Sequence, residues 1–274
     1  MHFARPAPYN NRMKSTHTPR KRFGQNFLQD AGVIAQIANA IHPQPGEHLV
    51  EIGPGQGALT ASLIRRDIRL DVVELDRDLV SGLLAAFSIY PDFKLHSADA
   101  LGFDFGALAQ DGVPLRVVGN LPYNISTPLL FRLFEFAPVV QDMHFMLQLE
   151  VVNRLAGAPG SKHWGRLGIM AQYHCEVEHL FDVPPEAFYP PPKVQSAIVR
   201  LSPHRRSPWP ECDEGALRKL VQSSFAQRRK TLRNNLKGIL ADSDLEQLGI
   251  DPGARAETLE LVDFIRLTNH LSSA

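Results

Sequence analysis

Residues 119–127 read GNLPYNIST, set between the apolar runs PLRVV and PLLFRLFEF. A turn there needs only a glycine or an asparagine, so the order Asn120, Leu121, Pro122, Tyr123 is more than a turn requires. Pro122 keeps Leu121 out of the α region and so helps fix the direction of its carbonyl. An amide oxygen, a backbone carbonyl and a phenol ring are thereby delivered together. Two acceptors suit an amine whose lone pair is delocalised, such as the exocyclic N6 of adenine. Held by both its hydrogens, that nitrogen is favoured in the pyramidal form that attacks a methyl donor. Tyr123 offers an extruded base a face to stack on. The arrangement acts by electrostatic preorganisation. It needs no strong base, because an alkylated adenine ammonium loses its proton readily to water. The competing reading is a proline turn in which an asparagine, Ser126 or Thr127 caps the following helix.

Upstream, EIGPGQG carries Gly53, Gly55 and Gly57. This GxGxG lacks the last interval of the dinucleotide fingerprint. A glycine-rich strand-to-helix turn lets a ligand approach the backbone, because no Cβ intervenes. Glu74 follows about twenty residues on, where an acid can take both hydroxyls of a ribose. Asp99, at the end of the next strand, can accept from an adenine amino group. Taken singly, either acid could be a solvated carboxylate or a helix cap, as Asp76 and Asp78 are read. Together the three features fit an adenosine-bearing ligand. A nicotinamide cofactor and S-adenosylmethionine both qualify. The GxGxG spacing, the nearby Glu51 and the lack of a second phosphate-binding signal favour S-adenosylmethionine.

Short apolar runs position these groups. EHLVEI ends at Ile52, the strand of LDVVEL is read as ending at Asp76, FKLHSAD ends at Asp99, PLRVVGN ends at Asn120, and MHFMLQ follows. Helical stretches alternate with them, which predicts an α/β fold with a parallel sheet covered on both faces. DAGVIAQIANAI is helical in spacing, with Asp30 as N-cap. After the proline-rich VPPEAFYPPPKVQSAIVRLSPH, the stretch RRSPWPE reads as a linker and the remainder as helices. The expected organisation is a flexible basic arm (1–20), a Rossmann-like domain (21–203) and a small helical domain (204–274) that binds RNA. Arg20, Lys21 and Arg22 lie beside Phe23 and Phe27. Arg228, Arg229, Lys230, Arg233 and Lys237 fall on or near one predicted helix, with Arg229, Arg233 and Lys237 on a shared face. Such clusters suit phosphate contact and stacking on unpaired bases, or are simply a solvated face.

EIGPGQGALT, ELDRDL, GNLPYNISTPLL, FYPPPKVQSA and KRFGQNFLQD together resemble the small-subunit rRNA adenine-N6,N6-dimethyltransferase family, from Arg20 to the C-terminal helices. The resemblance implies a Rossmann-like S-adenosylmethionine-dependent methyltransferase sheet with a small C-terminal all-helical domain. It assigns the cofactor to Asn26, Leu28, Gly53, Glu74, Asp99 and Asn120, with Gln25 and Gly55 beside them. Phe188 matches an aromatic that packs on the target base opposite Tyr123. The implied substrate is a pair of adjacent adenosines in the 3′-terminal hairpin loop of small-subunit rRNA, each dimethylated, within the assembling small subunit. Leu180–Pro185 and the prolines after Phe188 are expected to form a rigid loop over the site. Gln195 departs from the family, where an acid is commoner, and Gln56 lies at a variable position.

The net charge is +0, so partners must be read from charge distribution. Cys175 and Cys212 have neither metal-ligand nor disulfide spacing and predict reduced thiols in a cytoplasmic protein. The histidines form no HxxxH pair, so no metal is expected. No apolar run reaches about 18 residues, so no membrane helix is expected. The N-terminus lacks the apolar core of a secretory signal, though a transit peptide stays open. A monomer is the simplest state. His144, His174, Trp164 and the phenylalanines of FRLFEF read as packing. The alternatives are a large-subunit rRNA adenine-N6 methyltransferase of the antibiotic-resistance type, a ribosome-assembly or transcription protein with a vestigial methyltransferase domain, and a nicotinamide oxidoreductase. Intact Asn120–Tyr123 and Glu74 argue against lost catalysis.

Overall fold

A computed structural model describes residues 25–273 of the chain. The expected arm (1–20) and Arg20, Lys21 and Arg22 lie outside the described residues. In chain order the elements are β1 (Phe27–Leu28), α1 (Ala31–Ile41), β2 (His48–Ile52), α2 (Ala58–Leu63), β3 (Arg69–Glu74), α3 (Arg77–Phe87), β4 (Phe93–Ser97), β5 (Leu115–Asn120), α4 (Ser126–Phe134) and β6 (Val140–Gln148). There follow α5 (Leu149–Leu155), α6 (Arg166–His174), β7 (Cys175–Val183), β8 (Phe188–Tyr189), β9 (Ser196–Pro203), α7 (Glu214–Ser224), α8 (Leu232–Asn235), α9 (Asp242–Gln247) and α10 (Leu261–Ser273).

The predicted strands form because their apolar runs are covered on both faces; every residue of β2 is buried. They join a seven-stranded sheet of order β4-β3-β2-β5-β6-β9-β7. The pairs β4–β3, β3–β2, β2–β5 and β5–β6 are parallel. The chain winds outward from β2 through β3 to β4, then returns to lay β5 on the other side of β2. That reversal opens a crevice at the carboxyl ends of β2 and β5, where open α/β sheets bind ligands. The two strands close up there because residue 119 is glycine: a Cβ would lie 2.5 Å from the Ile52 carbonyl oxygen.

Chain contacts divide the molecule into two compact units. One runs through Leu149 and adds Leu180–Arg200; the other joins Glu150–His179 to the chain from Leu201 onward. In the first unit Asp30 caps α1, accepting from Val33 N at 2.9 Å, and Ile37 and Ile41 turn inward. Asp76 caps α3, and Asp78 lies in its first turn.

Three sequence expectations are corrected. β3 and β4 stop at Glu74 and Ser97, so Asp76 and Asp99 lie just beyond the strands. Leu180–Val183 is the end of β7, not a loop; Leu180 and Phe181 pack on the buried core. The basic C-terminal stretch is not one helix. α7 ends at Ser224, and Asn235 Nδ2 donates to the carbonyls of Ser224, Gln227 and Lys230, tying the intervening chain into a turn. Arg229, Arg233 and Lys237 therefore share no helical face.

Among the described residues no helix is long and apolar enough to cross a membrane, and no His, Cys, Asp and Glu cluster could hold a metal.

Candidate active site

A cavity opens in the first unit at the switch between β2 and β5. Its wall includes Gln25–Leu28, Gly53–Gln56, Glu74, Asp99 and Asn120–Ile125, with Glu51, His144, Met146 and Ile198. The sequence-predicted cofactor residues are thus brought to one place.

The Gln25–Leu28 segment is held by a clasp: β1 pairs antiparallel with β8, Phe27 opposite Tyr189 and Leu28 opposite Phe188. Gln29 N donates to Ala187 O at 2.8 Å and extends the clasp. Gly55, at φ +58°, admits the Phe27 ring; a Cβ there would lie 3.1 Å from Phe27 Cδ1. The glycine loop therefore makes room for a side chain of the protein as well as for a ligand. Gln25 Nε2 donates to Asp76 Oδ2 at 2.9 Å, which ties the start of the segment to the α3 cap.

Asn120 Nδ2 donates to Asn26 O at 3.0 Å. A carbonyl only accepts, so the amide nitrogen must face it, and Oδ1 is left for another donor. Leu121 N donates to Met146 O at 3.2 Å, which sets the orientation of the backbone where Pro122 follows. Tyr123 Oη and Ser196 Oγ hydrogen-bond at 2.7 Å, fixing the ring; burial raises the Tyr123 pKa despite that bond. The capping alternative fails: Ile125 occupies the N-cap of α4 with no side-chain cap bond, and Ser126 Oγ donates backward to Tyr123 O. No cap claims Asn120, so its amide oxygen is left for the site.

Glu74 is buried, and its carboxylate accepts from Asp76 N at 2.8 Å and Gly55 N at 3.2 Å. Burial raises its pKa, opposed by those backbone bonds. Asp99 is exposed; Oδ1 accepts from Leu101 N, forming a local turn.

Glu51 is the group the sequence reading underweighted, a carboxyl in the middle of an apolar strand. It is 2% exposed and accepts from Thr60 Oγ1 at 2.6 Å. Burial pushes its pKa from 4.5 to about 7, against the Thr60 bond and with added repulsion from Glu74. A carboxyl raised in the folded state costs stability only where it ionises. The cost is absent below pH 4.5, grows between 4.5 and 7, and is complete above. Glu51→Gln should therefore stabilise the ligand-free protein by about 2 kcal/mol at pH 8 and by nothing measurable at pH 4. Urea unfolding at the two pH values checks this; an equal gain at both would show that ionisation is not the cause.

Phe188 does not take its expected place. It is 4% exposed, lies in the core cluster with Leu28 and Ile198, and does not line the cavity. Pairing with Leu28 turns its ring inward and leaves Tyr189 exposed. In the second unit Arg228 pairs with Glu257 and Arg233 with Asp242, whereas Arg229, Lys230 and Lys237 are exposed and enter no ion pair among the described residues.

A sheet with this strand order, a glycine loop after β2, an acid at the end of β3 and an Asn-Leu-Pro-Tyr corner after β5 defines a Rossmann-like methyltransferase. The family described as ribosomal RNA adenine dimethylase matches residues 16–273. The chain is 59% identical to ribosomal RNA small subunit methyltransferase A of Pseudomonas aeruginosa over 256 residues, 93% of this chain and 96% of that protein. It is 55% identical to the protein of the same name from Chromohalobacter salexigens, over 97% of this chain and 95% of the other. Among solved structures, 23S rRNA methyltransferase ErmE superposes with a TM-score of 0.69 at 27% identity, covering 90% of this chain and 100% of that one. A dimethyladenosine transferase from Plasmodium falciparum gives 0.78 at 23% identity, over 90% and 98%, a likeness of fold. The chain belongs to the ribosomal RNA adenine dimethylase family, and it is a methyltransferase.

Proposed function

We propose that the protein transfers methyl groups from S-adenosylmethionine to N6 of two adjacent adenosines in the 3′-terminal hairpin loop of small-subunit rRNA, dimethylating each during small-subunit assembly. It acts in the cytoplasm as a monomer, with residues 21–203 as the catalytic domain and 204–274 as an RNA-binding domain. Asn120 carries the reading: its amide nitrogen is spent on Asn26 O, its oxygen is not, and it stands in one cavity with the glycine loop and Glu74.

The cofactor supplies the sulfonium methyl that is transferred. The protein's groups suit its adenosine half: Gly53 and Gly55, both at positive φ, bring backbone close, Glu74 takes the ribose hydroxyls and Asp99 the adenine amine. Asn26 and Leu28 close the cavity over it. Asn120 Oδ1 and the Leu121 carbonyl accept from the two hydrogens of the target N6, turning its lone pair toward the methyl. Tyr123, braced by Ser196, stacks on the flipped base. Phe188 acts from behind, holding Leu28 against the cavity rather than touching the base. Arg229, Lys230 and Lys237, with Arg228 and Arg233 beside them, meet rRNA phosphates, and Arg20, Lys21 and Arg22 add to that contact.

The test is transfer of labelled methyl groups to undermethylated small subunits, followed by nucleoside analysis. Label recovered as N6,N6-dimethyladenosine from small-subunit rRNA is expected. Label confined to large-subunit rRNA would move the assignment to the antibiotic-resistance type. No transfer to either would leave an assembly protein.

A further inference from the structure

The floor of the cavity contains a polar pair that the catalytic corner does not use. Glu51 is in register with Val118, and Val118 with His144, so the three form one row across β2, β5 and β6 and face the same way. With strands about 4.8 Å apart, the outer two backbones stand about 10 Å from each other. Both side chains line the cavity, at 2% and 3% exposure.

Neither ring nitrogen of His144 has a hydrogen-bond partner among the described residues. Nδ1 lies 3.4 Å from Asp142 Oδ1, close enough to feel the carboxylate but poorly aligned for a bond. Asp142 is itself gripped by Arg116 Nε and Nη2. An unpaired buried imidazole is costly, and one that lines a cavity points to a ligand. The carboxylate beside Nδ1 favours the tautomer with the proton there, which leaves a lone pair on the buried Nε2 of a residue that lines the cavity.

That lone pair needs a donor. Asn120 and Met146 are the register partners two residues farther along β5 and β6, so the Glu51–His144 row lies about 7 Å deeper than the corner assigned to the target amine. The hydrogens of that amine are already matched by Asn120 and Leu121. The remaining donor of the bound pair is the ammonium at the amino-acid end of the cofactor, whose three hydrogens suit acceptors converging from two sides.

We propose that His144 is a cofactor-positioning residue: its Nε2 and the Glu51 carboxylate together accept from the α-ammonium of S-adenosylmethionine. This rests on the cofactor assignment above. A bound ammonium would also favour the ionised form of so buried a carboxyl, since the cation offsets the cost of burial.

The test is calorimetric titration of the full chain with S-adenosylhomocysteine and with its des-amino analogue, which lacks only the α-amino group. The wild type should bind the first at least about tenfold more tightly. His144→Leu should weaken S-adenosylhomocysteine by about tenfold and leave the analogue unchanged, collapsing the ratio. His144→Gln, which keeps an acceptor, should restore part of it and guards against misfolding of the leucine variant. Equal weakening of both ligands, or an unchanged ratio in both variants, overturns the assignment to His144 alone. A wild type that binds neither ligand overturns the cofactor assignment, and this proposal with it.

Discussion

Asn120→Ala lowers the rate of methyl transfer by about a hundred- to a thousandfold, while RNA affinity stays at its wild-type level. The loss has two parts. The first is the acceptor itself: without Oδ1 only the Leu121 carbonyl remains to hold the target amine, and one of its hydrogens goes unmatched at the moment its nitrogen must become pyramidal. The second is the anchor, because the bond from Nδ2 to Asn26 O fastens the N-terminal segment over the cavity. Asn120→Asp separates them. It keeps an acceptor but places a carboxylate against the Asn26 carbonyl, so cofactor affinity falls along with the rate. Single-turnover rates with filter-binding of RNA measure both. If the alanine variant turns over at the wild-type rate, the two-acceptor account is wrong.

The parts of this architecture that the chain declares locally are those in which one short segment carries both the signal and its consequence. EIGPGQG needs only its own backbone to make a loop at positive φ, and Asp30 caps the helix three residues on. The parallel sheet was legible because its strands are buried on both sides and therefore uniformly apolar. What escaped depends on distant partners. Leu180–Pro185 read as a rigid loop over the site, because Leu180 and Phe181 pack on the core only when β7 joins the sheet. Phe188 looked like a cavity aromatic until its pairing with Leu28 turned the ring inward. The basic C-terminal run has good helical spacing, yet α7 stops at Ser224 and the Asn235 amide ties the carbonyls of Ser224 and Gln227 at 2.7 and 3.1 Å across a turn. His144 reads as a packing residue in MHFMLQ; that it shares a row with Glu51 follows from strand register, which no spacing reveals.

The second large effect is on stability, at Arg116. The residue is 6% exposed and its guanidinium fully engaged: Nε and Nη2 grip Asp142 at 3.0 to 3.1 Å, Nη1 reaches Glu47 Oε2 at 2.7 Å, and Nη2 reaches Ile41 O at 2.6 Å. It joins the start of β5 to β6 and to the turn after α1. Arg116→Met fills the space but strips Asp142 and Ile41 O of its donors and leaves Glu47 only the bond from Gln44 N, and should cost about 3 to 5 kcal/mol at pH 7. The cost depends on pH. Burial pushes the Asp142 carboxyl up, but the nearby His144 ring and the bonds and charge of Arg116 outweigh it and hold the pKa below 3.8. In the wild type that contribution is complete above 3.8 and is lost as pH falls through the lower folded value. In the variant burial acts with little opposition, so Asp142 takes up its proton at higher pH and the penalty shrinks as the solution is acidified. Urea unfolding should therefore show a wide gap between the two proteins at pH 7.5 and a narrower one at pH 4.5, and Asp142→Asn in the variant background should recover part of the loss at pH 7.5. A gap that is the same at both pH values would place the loss in packing rather than in the stranded carboxylate. The same carboxylate faces the His144 ring, so Arg116→Met should also weaken binding of S-adenosylhomocysteine, although no atom of Arg116 lines the cavity.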